Sequence, residues 1–260
     1  MKHTRSPINQ VPLRNPGDAL FWKRMWIFEG IELLLILAVI MGIFTAWEWI
    51  RWFSKVPPNP VGSSVIFGIV CLFVGIRITR NVRALRNYDL GLVGERCVAE
   101  RLNELRANGY HIIHDIPCGR MNIDHVLVGP AGVFTIETKM ARKELNMPCE
   151  ITHTDKGVFM NGKRGWCGKA LWEVEKEVAY LQDILTKDGS RSPHIQPVVV
   201  YPGWFVKDDC SRKIWVLNDR YLVKKICSLP TVLSPENVQF LRHVVEKYAR
   251  EKTRESDYVG

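Results

Sequence analysis

The pattern of hydrophobic and polar positions divides the chain into two parts. Residues 25–49 are almost all apolar, with charges only near the ends, and residues 61–76 form an uncharged, mostly apolar run. A helix needs about 20 apolar residues to cross the roughly 30 Å hydrocarbon core of a bilayer. The second run reaches that length if it extends to residue 78, with the Arg77 side chain reaching toward the interface. The pattern predicts two transmembrane helices, about 25–49 and 61–78.

Beyond residue 88 the apolar positions recur at the shorter periods of strands and amphipathic helices. We expect strands near residues 110–116, 123–128, 133–139, 195–201 and 214–217, a hairpin at 151–160, and helices at 93–105, 168–185 and from 234. Strands mixed with crossover helices predict an α/β fold, a mixed central β-sheet flanked by helices. The expected organisation is an N-terminal tail (1–22), the helix hairpin (23–80), a basic linker (81–88), the α/β domain (89–250) and a polar tail that frays (251–260).

The candidate chemistry lies on two short strands separated by Gly129-Pro130-Ala131-Gly132, which we interpret as a four-residue hairpin loop. If Val128 pairs with Val133, then Asp124 lies directly opposite Glu137, and Lys139 follows on the same face. Like charges at opposed positions are destabilising, so a cation is expected between the carboxylates. Mg²⁺ or Mn²⁺ fits, because hard divalent cations bind carboxylate oxygens. The alternative is an ordinary hairpin face with solvated charges.

A third carboxylate belongs to the helix expected at residues 93–105. Glu95 falls on the apolar stripe of Val98, Leu102 and Leu105, whereas the other glutamates of this helix face away. A carboxylate directed at a core needs a partner, which would be the same cation. Alternatively, Glu95 only favours the positive end of the helix dipole in the first turn, an effect of about 0.3 to 1 kcal/mol. The sequence leaves both interpretations open.

These motifs resemble those of a known family. Gly94-Glu95, the segment Asn122–Val128 and the segment Gly132–Lys139 are similar to the nuclease-related domain (NERD) family, over about residues 88–230. That family is assigned to the PD-(D/E)XK nuclease superfamily. The resemblance implies a restriction-endonuclease-like fold and a metal-dependent site that hydrolyses phosphodiester bonds of nucleic acid, with DNA favoured over RNA.

By that resemblance Asp124 and Glu137 would be metal ligands, Glu95 would complete the site, and Lys139 would orient or activate the attacking water. Lys139 would deprotonate that water only if its pKa is lowered. The alternative function is a non-catalytic scaffold at the membrane that binds nucleic acid or a protein through the same fold.

One position departs from the superfamily pattern. The helix after the hairpins usually carries a glutamine, and the best-matching position here is Glu173, with Glu177 one turn later. Both lie beside the apolar stripe of that helix, which favours a solvated helix flank. A negative group in the site would repel a phosphate backbone.

Charge indicates the orientation and the first expected partner. Residues 1–87 carry 11 Lys and Arg against 4 Asp and Glu, whereas residues 88–260 carry 25 against 23. Basic residues precede the first span and follow the second, while the connecting loop has only Arg51 and Lys55. Both termini are therefore expected in the cytoplasm, at an inner or plasma membrane. The excess charge favours anionic lipid headgroups before nucleic acid, whose candidate contacts are local clusters such as Lys207 with Arg212-Lys213.

The seven cysteines contain no C-x-x-C pair, which predicts reduced thiols in a cytosolic compartment. His111, His114 and Cys118 contain the ligand types of a zinc site. The two histidines would point to opposite faces of one strand, which argues against it.

Overall fold

The computed structural model describes residues 13–54, 60–119, 121–143, 147–164, 168–187, 193–210 and 213–258. Predicted features at residues 1–12, Lys55, Cys167 and Arg212 lie outside these ranges. The chain forms two compact units. One comprises residues 20–90, and the other comprises residues 91–260 together with the segment before residue 20.

The first unit is built from α1 (Asp18–Phe53) and the greater part of α2 (Pro60–Asn103). Arg24 pairs with Asp89 over 2.7 Å, and the Trp49 indole N–H donates to Ser64 Oγ over 3.1 Å. The first contact joins the start of α1 to the later part of α2, and the second joins the end of α1 to the start of α2. The two helices are therefore antiparallel. Both are long and apolar enough to cross a membrane. Their apolar side chains are directed outward, and Trp26 is 71% exposed.

The second unit contains a mixed five-stranded sheet in the order β1-β2-β3-β7-β9. β1 to β3 are antiparallel, and β3, β7 and β9 are parallel. The strands are β1 (His111–Cys118), β2 (Met121–Gly129), β3 (Gly132–Thr138), β7 (Ile195–Val200) and β9 (Trp215–Leu217). Two of them, β3 and β7, contribute mainly β-branched residues, which favour a pleated and buried surface.

Helices cover both faces of this sheet, which confirms the predicted fold class. α3 (Gly168–Lys187) and α5 (Pro235–Tyr258) pack on one face, in a core that includes Val126, Val133 and Leu181. The C-terminal part of α2 and α4 (Asp219–Cys227) pack on the other face, in a core that includes Leu102, Leu127 and Leu222. α4 was not predicted, and α5 continues as helix through residues 251–258, where we expected the chain to fray.

A second, smaller sheet has the order β6-β5-β4-β8. Its strands are β4 (Glu150–Thr154), β5 (Gly157–Met160), β6 (Lys163–Arg164) and β8 (Phe205–Asp208). The β4–β5 hairpin was predicted. β8 was not predicted, because β8 is short and its partner β4 lies some fifty residues earlier in the chain.

The β2–β3 turn is tighter than predicted. Gly129 pairs with Gly132, so the loop is only Pro130-Ala131 rather than four residues. Gly132 has φ +125°, a region that favours glycine. A Cβ at Gly129 would lie 2.0 Å from Tyr110 Cδ1, so the ring of Tyr110 occupies the space that glycine leaves.

Candidate functional site

The hairpin register brings the predicted carboxylates together. Val128 pairs with Val133 as predicted, and the ladder continues to His125 opposite Ile136. One further step places Asp124 opposite Glu137, at the carboxyl end of β3. The Thr138 backbone N–H donates to Asp124 Oδ2 over 2.8 Å. Glu137 is buried, so this face of the hairpin is not the solvated surface of the alternative interpretation.

Glu95 reaches the same end of the sheet from α2. It is buried and lies on the face of α2 that carries Val98 and Leu102. Because α2 begins at Pro60, Glu95 is not in a first turn, and the helix-dipole interpretation is wrong. Gly94 permits the close approach of α2, since a Cβ there would lie 2.1 Å from Met140 Cγ.

α3 supplies two further carboxylates, which corrects our expectation of a solvated helix flank. Glu177 is fully buried, and neither of its carboxyl oxygens has a hydrogen-bond partner among the described residues. Glu173 Oε2 lies 2.9 Å from the Lys139 ammonium. The packing of α3 onto the sheet turns this side of the helix inward. The spacing of Glu177 from Val174 and Leu181, three and four residues away, was the sequence signal for its burial.

Lys139 is the cation at the centre of this cluster. Its ammonium contacts Glu137 Oε1 and forms the ion pair with Glu173. Burial favours the neutral amine, but the negative charges of Glu137 and Asp124 and the hydrogen bonds to Glu137 and Glu173 outweigh it and raise the pKa of Lys139. Lys139 is therefore an ammonium here. The condition for a general base, a lowered pKa, is not met.

The cluster carries more negative than positive charge. Burial raises the pKa of Asp124 well above its ordinary value, and the charges of Glu137 and Glu95 raise it further. Burial also raises the pKa of Glu177, followed by the charge of Glu137. Burial opposes ionisation of Glu173, but its bonds to Lys139 outweigh burial and lower the pKa. The pKa values of Asp124 and Glu177 are thus both raised, and perturbed pKa values are typical of functional carboxylates.

The donor chemistry fits a hard divalent cation, because carboxylate oxygens predominate and those of Glu177 lack hydrogen-bond partners. The oxygens of these carboxylates do not, however, converge into a complete coordination sphere among the described residues. Within the described ranges, no group of three or more His, Cys, Asp or Glu side chains is disposed to hold a metal ion. Lys139 neutralises Glu137 directly instead.

Sequence reasoning missed a polar cluster that fixes β1 beside this site. Asp115 has φ +50° and is buried. Its carboxylate accepts from Asn122 Nδ2 over 2.7 Å and from the Ala19 backbone N–H over 2.9 Å, and it lies 3.5 Å from Arg14. It therefore ties the segment before residue 20 to the sheet. Aspartate tolerates the left-handed region better than most residues.

The candidate zinc residues are used differently. His114 Nδ1 lies 2.8 Å from His125 Nδ1. Burial lowers the pKa of His114 to about 4 and that of His125 well below its ordinary value. The two rings are therefore neutral and share one proton between the facing nitrogens. His125 alternates with Asp124 along β2, so its side chain belongs to the core and not to the carboxylate cluster.

Comparison with known proteins identifies the region that contains this cluster. Residues 90–202 match the family model of the nuclease-related domain. No curated protein and no solved structure matches the chain. The matched region includes every residue of the carboxylate cluster, from Glu95 on α2 to Glu177 on α3.

Proposed function

Because residues 90–202 form a nuclease-related domain, we propose that the chain is a membrane-anchored, metal-dependent nuclease. It would hydrolyse phosphodiester bonds of nucleic acid, DNA in preference to RNA, on the cytoplasmic side. The observation that carries the proposal is the convergence of Asp124, Glu137 and Glu177 around Lys139 at the carboxyl end of β3. Buried carboxylates in excess over cations are costly to folding unless they serve a ligand.

Asp124, Glu137 and Glu95 would hold a Mg²⁺ or Mn²⁺ ion. The ion would supply a water of lowered pKa and offset the charge that develops on the phosphoryl oxygens. As an ammonium, Lys139 donates hydrogen bonds and would orient the attacking water or a phosphate oxygen, rather than remove a proton. Glu173 holds the Lys139 side chain from the opposite side and would keep the ammonium in place when Glu137 binds the ion.

The location follows from the two apolar helices. We propose that α1 and α2 cross the membrane as an uncleaved hairpin with both termini in the cytoplasm. The nuclease-related domain would occupy residues 89–250, and basic residues next to the spans would contact anionic headgroups. Arg83 and Arg86, in the segment proposed as a basic linker, are helical in α2.

A second candidate function is a non-catalytic scaffold that binds nucleic acid or a protein through the same fold. The direct Lys139–Glu137 contact favours it, because a lysine that already neutralises the carboxylates leaves less reason for an ion to enter. The scaffold predicts binding that is insensitive to EDTA and no turnover.

The test is cleavage by the full chain in detergent micelles. Labelled DNA and RNA strands are incubated with Mg²⁺, Mn²⁺ or EDTA, and wild type is compared with Asp124→Asn and Lys139→Ala. We expect cleavage by the wild type only with a divalent ion, and at least a hundredfold loss in both variants. The matched control is Asp183→Asn, an exposed carboxylate on α3. Equal cleavage by all four proteins, or cleavage by none of them, would refute the proposed nuclease activity and favour the scaffold function.

A further inference from the structure

A groove outside the carboxylate cluster combines exposed aromatic rings with lysines. It has a volume of about 520 Å³ and lies between β8, β9 and α4. Phe205, Trp215 and Tyr221 line it, and Phe205 and Tyr221 are 59% and 53% exposed. Large aromatic rings are expensive to leave in water. Two of them facing one concave surface indicate a ligand with flat, stackable groups.

The charges around the groove are complementary to a phosphate backbone. Lys225 Nζ lies 4.1 Å from the centre of the Trp215 ring, and Lys207 Nζ lies 6.0 Å from that of Phe205. The acidic residue in the lining, Asp208, is already engaged. One of its oxygens lies 2.7 Å from His153 Nδ1, and the other accepts the Val216 backbone N–H over 3.1 Å. Lys207 pairs with Glu150 over 3.2 Å, so Lys225 is the cation in the lining that a polyanion meets.

The groove runs along β9 from Trp215 to Asn218, and its end at Asn218 lies at the edge of the sheet that carries the carboxylate cluster. β3, β7 and β9 are parallel, so their carboxyl ends share this edge. The Lys139 N–H donates to Val200 O, and the Tyr201 N–H donates to Leu217 O, each over 2.9 Å. Two strand spacings separate the ends of β3 and β9, which is about 10 Å. A single strand of a few nucleotides covers that distance.

We propose that this groove binds single-stranded nucleic acid, with bases stacked on Phe205 and Tyr221 and phosphates held by Lys225. The proposal rests on the proposed function and adds a preference for unpaired substrate near the cut. A concave surface with separated rings accepts splayed bases, which a duplex does not offer. A peptide strand is a poorer occupant, because the Val216 N–H on the outer strand β9 is already bonded to Asp208.

The test measures binding without catalysis. The full chain in detergent micelles is titrated, in EDTA, into a fluorescein-labelled single strand and into an abasic strand of the same length and charge. We expect Phe205→Ala and Tyr221→Ala each to weaken binding of the normal strand about 5- to 100-fold. Binding of the abasic strand should stay unchanged. Phe205→Trp should retain wild-type affinity, whereas Lys225→Ala should weaken both strands.

Phe240→Ala and Lys247→Ala on α5 are the matched controls, since Phe240 is also largely exposed, at 46%. Both should bind as wild type does. Unchanged affinity of Phe205→Ala and Tyr221→Ala, or an equal loss of affinity for the abasic strand, would refute the proposal that bases stack in the groove. The two proposals can fail independently. Cleavage by the wild type together with unchanged binding by the ring variants would refute only the binding groove. Binding that depends on the rings without any cleavage would refute only the nuclease activity.

Discussion

Replacing Glu177 by glutamine should stabilise the protein. Glu177 is fully buried beside Glu137, and neither of its oxygens has a hydrogen-bond partner among the described residues. Glutamine has almost the same volume, so the substitution leaves the packing of α3 intact. It removes a negative charge, and its amide can donate to the Glu137 carboxylate.

The magnitude follows from the charges around this side chain. Two carboxylates about 5 Å apart repel by about 3 kcal/mol at an effective dielectric constant near 20. Attraction to Lys139 cancels part of this repulsion, because Lys139 also affects the pKa of Glu177. We therefore expect Glu177→Gln to raise the free energy of unfolding by about 1 to 3 kcal/mol at pH 8. The melting temperature should rise by about 2 to 10 °C.

The effect must depend on pH in a defined direction. The folded protein raises the pKa of Glu177, by burial first and then by Glu137. A group with a raised pKa contributes its stability below the unfolded pKa, here about 4.5, and loses it as the pH rises through the folded pKa. Wild type should therefore lose stability relative to Glu177→Gln as the pH rises, and the two should converge near pH 4.5.

The assay is thermal unfolding of the full chain in detergent, followed by near-ultraviolet circular dichroism between pH 4.5 and pH 8 without divalent ions. Glu175→Gln is the control, since it makes the same chemical change at an exposed position of α3. A Glu177→Gln variant no more stable than wild type at pH 8 would refute the reasoning. So would a stabilisation that is the same at both pH values.

Two other expectations concern stability. Mg²⁺ or Mn²⁺ at a hundredfold excess over its dissociation constant should stabilise the wild type by about 2.7 kcal/mol, and melting with and without the ion should show little gain in Asp124→Asn. Gly129→Ala should destabilise by about 1 to 3 kcal/mol, because the new methyl group meets the ring of Tyr110. Chemical denaturation would measure this loss, and Ala131→Gly in the same turn is the control. Unchanged stability of Gly129→Ala would show that the ring moves freely.

The parts of the site that came from local patterns were predictable. The β-branched runs on either side of a Gly-Pro turn determine the hairpin register, and the register alone places Asp124 opposite Glu137. The helical spacing of Val98 and Leu102 placed Glu95 on the core-facing stripe of its helix, although the sequence also left the helix-dipole interpretation open. These inferences needed only the periods of a strand and a helix.

The remaining features depend on how elements pack, which no local pattern contains. Glu177 is buried because α3 lies against β3 and β7. The pKa of Lys139 rises because Glu137, Asp124 and Glu173, from three different elements, meet around it, and sequence spacing gives no measure of their combined effect. Asp115 is significant because Ala19, far away in the chain, and Asn122, on the neighbouring strand β2, supply its partners.

The bond between Asp208 and the Val216 N–H also bears on self-association. An outermost strand with free amides can recruit strands from other molecules and extend the sheet into aggregates. Here the Asp208 carboxylate already accepts a hydrogen bond from one of those amides, the Val216 N–H. Although burial opposes ionisation of Asp208, its bonds to His153 and to the backbone lower its pKa, so the carboxylate stays charged at neutral pH. At neutral pH this bond therefore removes one pairing site from β9 for a strand of a second copy, and protonation of Asp208 in strong acid would weaken the bond.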